Sequence, residues 1–64
     1  MRILIVDEQP LFREALSMHL EAIYPGSAVF EASTVAEAQG LLEMYAHFEL
    51  IVLDISVPDT EGIA

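Results

Sequence analysis

Leu50-Ile51-Val52-Leu53-Asp54-Ile55-Ser56-Val57-Pro58-Asp59-Thr60-Glu61-Gly62 sets four apolar side chains directly before a carboxylate and then turns polar. The N-terminus, Arg2-Ile3-Leu4-Ile5-Val6-Asp7-Glu8, has the same form, with Asp7 and Glu8 closing an apolar run. Short continuous apolar runs rich in β-branched residues suit strands buried on both faces, as in a parallel sheet. A strand often ends on Asp simply because the chain surfaces there. Two acidic strand ends brought side by side would instead build a site.

The residues between the two runs decide whether they can meet. Pro10 fits the first turn of a helix, where its missing N–H costs nothing. Leu11, Phe12, Ala15, Leu16, His19, Leu20 and Ile23 then recur at three- and four-residue spacing, with Arg13, Glu14, Ser17 and Glu21 between them. This predicts an amphipathic helix. Tyr24-Pro25-Gly26-Ser27 stops it, since the residue before proline avoids helical dihedrals and glycine permits a turn. Ala28 to Ala32 reads as a second strand, less apolar and so expected at an edge. Thr34 and Glu37 have capping-box spacing, and Val35, Ala38, Leu41, Leu42 and Tyr45 predict one face of a second helix. Gly40 weakens that helix by about 1 kcal/mol relative to alanine.

The resulting β-α-β-α-β pattern is that of a parallel α/β sheet. Crossovers are right-handed, and helices on opposite faces put the first strand in the middle, giving the order 2-1-3. Ligands of open α/β sheets bind outside the carboxyl ends of the strands, where the winding reverses. That point lies between strands one and three, so the topology predicts Asp7, Glu8 and Asp54 in one crevice.

Composition narrows the functional classes. A 64-residue chain is at most one domain, and one of this size buries only about 60% of its unfolded surface. The hydrophobic fraction of 55% is far above that of a disordered acidic tail. No cysteine is present, which removes disulfides, thiolate metal sites and thiol nucleophiles. Acid appears too early for a signal peptide, and no apolar run reaches the ~18 residues of a membrane span, so a cytoplasmic protein is expected. Eleven acidic residues face only Arg2 and Arg13, for a net charge of −9. Such a surface repels phosphate backbones, which argues against direct nucleic-acid binding. Glu14, Glu21, Glu37 and Glu43 fit water-facing helix positions.

Clustered carboxylates repel one another unless a cation sits among them. Hard oxygen ligands open to water suit Mg²⁺, and a carboxylate beside such an ion can accept a phosphoryl group. The remaining polar residues read as structural. His19 lies on the first helix and His47 near the end of the second, neither with a partner at metal-ligand spacing. Asp59 and Glu61 read as solvated loop charge. Met18, Met44, Phe12, Phe30 and Tyr45 are expected as core or dimer contacts.

The segments ILIVDEQPLFREAL, EASTVAEA and LIVLDISVPDTEG resemble the first three parts of a response-regulator receiver domain. The third is the most specific, with Pro58 four residues after Asp54 and Gly62 four beyond that. PLFREAL is similar to receivers followed by a C-terminal helix-turn-helix output domain. The resemblance implies a truncated flavodoxin-like fold over residues 1–64, the N-terminal part of a receiver without its later strands. It implies a signalling module rather than an enzyme. Asp54 would accept the phosphoryl group from a sensor histidine kinase, and Asp7, Glu8, Asp54 and the backbone carbonyl of Ser56 would hold Mg²⁺. Glu8 stands where Asp is more usual, and Gln9 where His is frequent.

The family's site also uses a Ser or Thr ending strand four and a Lys ending strand five, and this sequence has no lysine. Efficient phosphotransfer is therefore not expected from these residues alone. An alternative is a phosphotransfer-incompetent interaction module that self-associates through strand three, whose Leu50, Ile51, Val52 and Leu53 form an apolar edge of the kind that pairs with a second chain. A small metal-dependent phosphohydrolase fits less well, because Ser56 stands two residues after Asp54 where a second Asp is needed.

Overall fold

The computed structural model describes residues 1–54. Ser56, Pro58, Asp59, Glu61 and Gly62 lie outside the described residues. Five elements follow in order: β1 (Arg2–Val6), α1 (Pro10–Ile23), β2 (Ala28–Ala32), α2 (Val35–Met44) and β3 (Leu50–Leu53). The three strands are parallel in the order β2-β1-β3. Ile3 sits opposite Val29 on one side and Leu50 on the other; Val6 sits between Ala32 and Leu53.

The central position of β1 explains its composition. Ile3, Leu4 and Ile5 are fully buried. Alternation along the strand sends Ile3 and Ile5 to one face, where they pack with Leu16 and Leu20 of α1 and with Val29, Leu50 and Val52. Leu4 and Val6 go to the other face, against Ala32, Val35, Ala38, Phe30, Leu41, Phe48 and Leu53. A side chain of this size contributes about 1.5–3 kcal/mol when fully buried. A polar residue at any of these four positions would break the layer it occupies.

Helix α1 starts at Pro10, with Gln9 as N-cap and no side-chain cap bond. It ends where the Tyr24 N–H donates to the Leu20 carbonyl at 2.8 Å. Gly26, at φ +84°, lets the chain reverse into β2. The face that meets the sheet differs from the one the apolar spacing predicts. Ser17 and Leu20 are buried and Arg13 and Leu16 half-buried, whereas Phe12 is 55% and Leu11 81% exposed, and His19 and Ile23 are exposed. The cause is placement: α1 packs over β1 and β2, so the row Phe12-Leu16-His19-Ile23 forms its outer flank rather than its centre. Met18 and Met44 are likewise exposed and take no part in the core.

Helix α2 is fixed at its start by reciprocal bonds. The Thr34 hydroxyl accepts from the Glu37 N–H at 3.1 Å. Glu37 reaches back one residue further than a standard capping box, accepting from the Ser33 hydroxyl at 2.7 Å and the Ser33 N–H at 3.2 Å. These bonds, the hydroxyl first, hold the Glu37 carboxyl below its usual range. Val35 and Ala38 are buried and Leu41 half-buried, while Leu42 sits at the exposed margin.

At the opposite end of the sheet from the strand termini that carry Asp7 and Asp54, Tyr45 stacks on Phe30 at 4.6 Å, and Phe48 meets Phe30 edge-on at 5.4 Å. The Arg2 guanidinium lies 5.6 Å from the Tyr45 ring and donates to the Ala46 carbonyl. The Glu49 N–H then donates to the Arg2 carbonyl at 2.9 Å and sets the register of β3. Among the described residues, no helix is long and apolar enough to cross a membrane.

Candidate functional site

The carboxyl ends of β1 and β3 lie side by side because the two strands are neighbours in register. The Asp7 N–H donates to the Ala32 carbonyl at 3.0 Å, and the Asp54 N–H donates to the Val6 carbonyl at 3.0 Å. Both aspartates thus extend the ladders by one bond beyond the strands. They line the same open cleft of about 440 Å³, together with Val6, Leu53, Gln9, Phe12 and Leu16. Apolar strand residues and the flank of α1 line it, with the two aspartates at the carboxyl ends of their strands.

The two acids differ in setting. Asp7 is 4% exposed, and Asp54 is half-buried. The Asp7 Oδ1 accepts the Gln9 N–H at 2.9 Å, the bond of an Asx turn, which turns the chain from β1 towards α1. A carboxylate offers about four lone-pair sites, so this bond leaves Asp7 with acceptor capacity. Glu8 is exposed and does not line the cleft. Ser56 is outside the described residues. The structure therefore brings Asp7 and Asp54 together and leaves Glu8 on the outside.

Among the described residues, no three metal-ligating side chains form a cluster. The two carboxylates that share the cleft nonetheless fit Mg²⁺ in kind. They are hard oxygen donors and few in number, and the half-buried Asp54 leaves that side of the cleft to water, which fills the rest of such an ion's shell. His19 and His47 are both exposed and stand apart from the cleft. His47 occupies the left-handed region at φ +64°, in the turn before β3.

One residue of the site escaped the sequence reading. Arg13, expected between the apolar rows, has its guanidinium on the inner face of α1 with the side chain only 18% exposed. It bonds Glu31 of β2 at 2.9 Å and the backbone carbonyl of Asp7 at 2.6 Å. A signal was present: Arg13, Leu16 and Leu20 follow the three- and four-residue spacing of one helix face, and Arg13 is one of two cations in the chain.

Comparison with known proteins adds to this geometry. The model of the response regulator receiver domain matches residues 3–64. The chain is 37% identical, over 97% of its length, to a glycerol metabolism activator of Pseudomonas putida. It is 38% identical, over all of its length, to the transcriptional regulatory protein PmrA of Pectobacterium parmentieri. The matched region spans 28% of each of these relatives. No solved structure matches the chain.

Proposed function

The chain belongs to the response regulator receiver family, and from that premise we propose that it receives a phosphoryl group on Asp54 from a sensor histidine kinase. The observation that supports this most is the shared cleft of Asp7 and Asp54 at the ends of adjacent parallel strands. In the reaction, an Asp54 carboxylate oxygen attacks the phosphorus of a phosphohistidine. The new O–P bond forms as the P–N bond breaks, and that electron pair stays with the imidazole. Little covalent work falls to the surrounding residues, so their contribution is placement and charge. Asp7, held by its turn bond, would present its carboxylate to a cation, with Asp54 and the Ser56 carbonyl as further protein donors, while Glu8 stands outside the cleft. Mg²⁺ bound there supplies positive charge against the carboxylates and the phosphoryl oxygens.

In this reading the carboxylate is modified rather than turning over, so the segment acts as a switch and not as an enzyme. The matched region spans 28% of the relatives, and an output domain in the rest of such a protein would carry the signal to transcription. With a net charge of −9, the segment itself does not bind nucleic acid.

The test uses acetyl phosphate and MgCl₂, read by intact mass. Without a lysine in these residues, we expect a slow, partial gain of one phosphoryl group, with acetate released, and no gain in Asp54→Asn. A wild-type chain that stays unmodified under conditions that phosphorylate an intact receiver would refute competence in these residues.

A second reading, the self-associating module, is favoured by one observation. Among the described residues β3 has a strand neighbour only on its β1 side, and Ile51 on that strand is 49% exposed. Unpaired apolar edges are templates for another chain. Light scattering of the 64-residue chain at tens of micromolar should then give a mass above that of the monomer. A monomer at that concentration removes this reading.

A further inference from the structure

Arg13 has no part in the phosphoryl-transfer reading, yet it is tied to the residue on which that reading depends. In a chain of net charge −9, its side chain is only 18% exposed. Its Nε–H donates to Glu31 Oε1 at 2.9 Å, and its Nη1–H donates to the Asp7 backbone oxygen at 2.6 Å. Glu31 is itself fixed, opposite Ile5 in the β1–β2 register. One planar, rigid fork thus joins α1, β2 and the turn leaving β1.

Asp7 is consequently held at three points. Its N–H is bonded to Ala32, its carbonyl to Arg13, and its Oδ1 to the Gln9 N–H. With the peptide bonded on both sides and Oδ1 held by the Gln9 N–H, the carboxylate is restrained where it lines the cleft it shares with Asp54. We propose that Arg13 is a positioning residue for Asp7: braced by Glu31, it clamps the β1–α1 turn so that the Asp7 carboxylate is presented ready-oriented to a divalent cation. The inference rests on the reading of the cleft as a cation site, and it deepens that reading by naming what orients the first carboxylate.

Charge and placement predict opposite signs here. A cation beside an acidic cleft repels Mg²⁺, so on charge alone removing Arg13 tightens binding. If Arg13 orients a ligand, removing it weakens binding, and loss of such outer partners commonly costs about 10–100-fold in metal affinity. Lysine keeps the charge but replaces the planar fork with one ammonium on a flexible stem, so it holds Glu31 and the Asp7 carbonyl less rigidly.

The experiment is an amide-resolved NMR titration of the 64-residue chain with MgCl₂, alongside hydrogen exchange of the Gln9 amide. Arg13→Ala and Arg13→Lys should each bind Mg²⁺ about tenfold more weakly than wild type, and both should lose protection at Gln9. Glu31→Gln should stay within about threefold, because its amide oxygen still accepts the Nε–H bond. Wild-type or tighter Mg²⁺ binding in Arg13→Ala and Arg13→Lys overturns the proposal. If Arg13→Ala does not fold, Arg13→Lys decides. A wild-type chain whose Asp7 and Asp54 amides ignore MgCl₂ would defeat the cation reading of the cleft. The Gln9 exchange then still decides on Arg13, and unchanged protection in both variants overturns the clamp by itself.

Discussion

Ile5→Ala should lower the thermal midpoint of the chain by about 8–40 °C, read by circular dichroism. Ile5 is fully buried and packs with Ile3, Leu20, Leu16 and the side chains of both outer strands. Truncating such a residue costs about 2–5 kcal/mol, from lost transfer energy and the cavity left behind. Domains of this size melt about 4–8 °C lower for each kcal/mol lost. Their total stability is about 3–10 kcal/mol, so this loss is a large share of it. Leu11→Ala is the control, because Leu11 is 81% exposed and its change should stay within about 0.5 kcal/mol. Equal effects from the two substitutions would mean that the central strand is not where the chain keeps its stability.

Asp7→Asn should separate binding from folding. Asparagine has nearly the same shape, and its Oδ1 can still accept the Gln9 N–H that forms the turn. Its neutral amide also suits a position only 4% exposed. Stability should therefore hold within about 1 kcal/mol of wild type. Mg²⁺ affinity should fall by about two orders of magnitude, beyond the loss of an outer-shell partner. Asp7→Leu, which deletes the turn acceptor, should be less stable than Asp7→Asn by about 1 kcal/mol. Mg²⁺ binding in Asp7→Asn as tight as in wild type would remove Asp7 from the cation's ligands.

Much of this frame is legible in the residues themselves. Ile3 to Val6 and Leu50 to Leu53 declare strands buried on both faces, and the alternation with two helices fixes parallel pairing and the order β2-β1-β3. The adjacency of Asp7 and Asp54 follows from that order. The rotation of α1 does not. Two overlapping rows, Phe12-Leu16-His19-Ile23 and Arg13-Leu16-Ser17-Leu20, both satisfy helical spacing. The choice between them rests on contacts outside the helix, including the bond between Arg13 and Glu31, 18 residues apart in sequence. Periodicity within one element carries no information about such a partner. Glu8 follows the same logic. Asp7 makes the last ladder bond of β1, so the residue after it takes its direction from the Asx turn and not from strand alternation.

The central place of β1 also governs how the chain can be made. Its partners on both sides come later in the sequence, and β3, opposite Ile3 to Val6, comes at the end of the described chain. During synthesis at about 5–20 residues per second, β1 remains uncovered on its β3 side for about 2–10 s. Helix α1 and strand β2 can shield one face and one edge in that interval. The other edge waits for residues 50–53, so the most apolar segment of the fold is the first to emerge and the last to be enclosed. Until residues 50–53 emerge, a nascent chain of this topology keeps one apolar strand edge open to other chains.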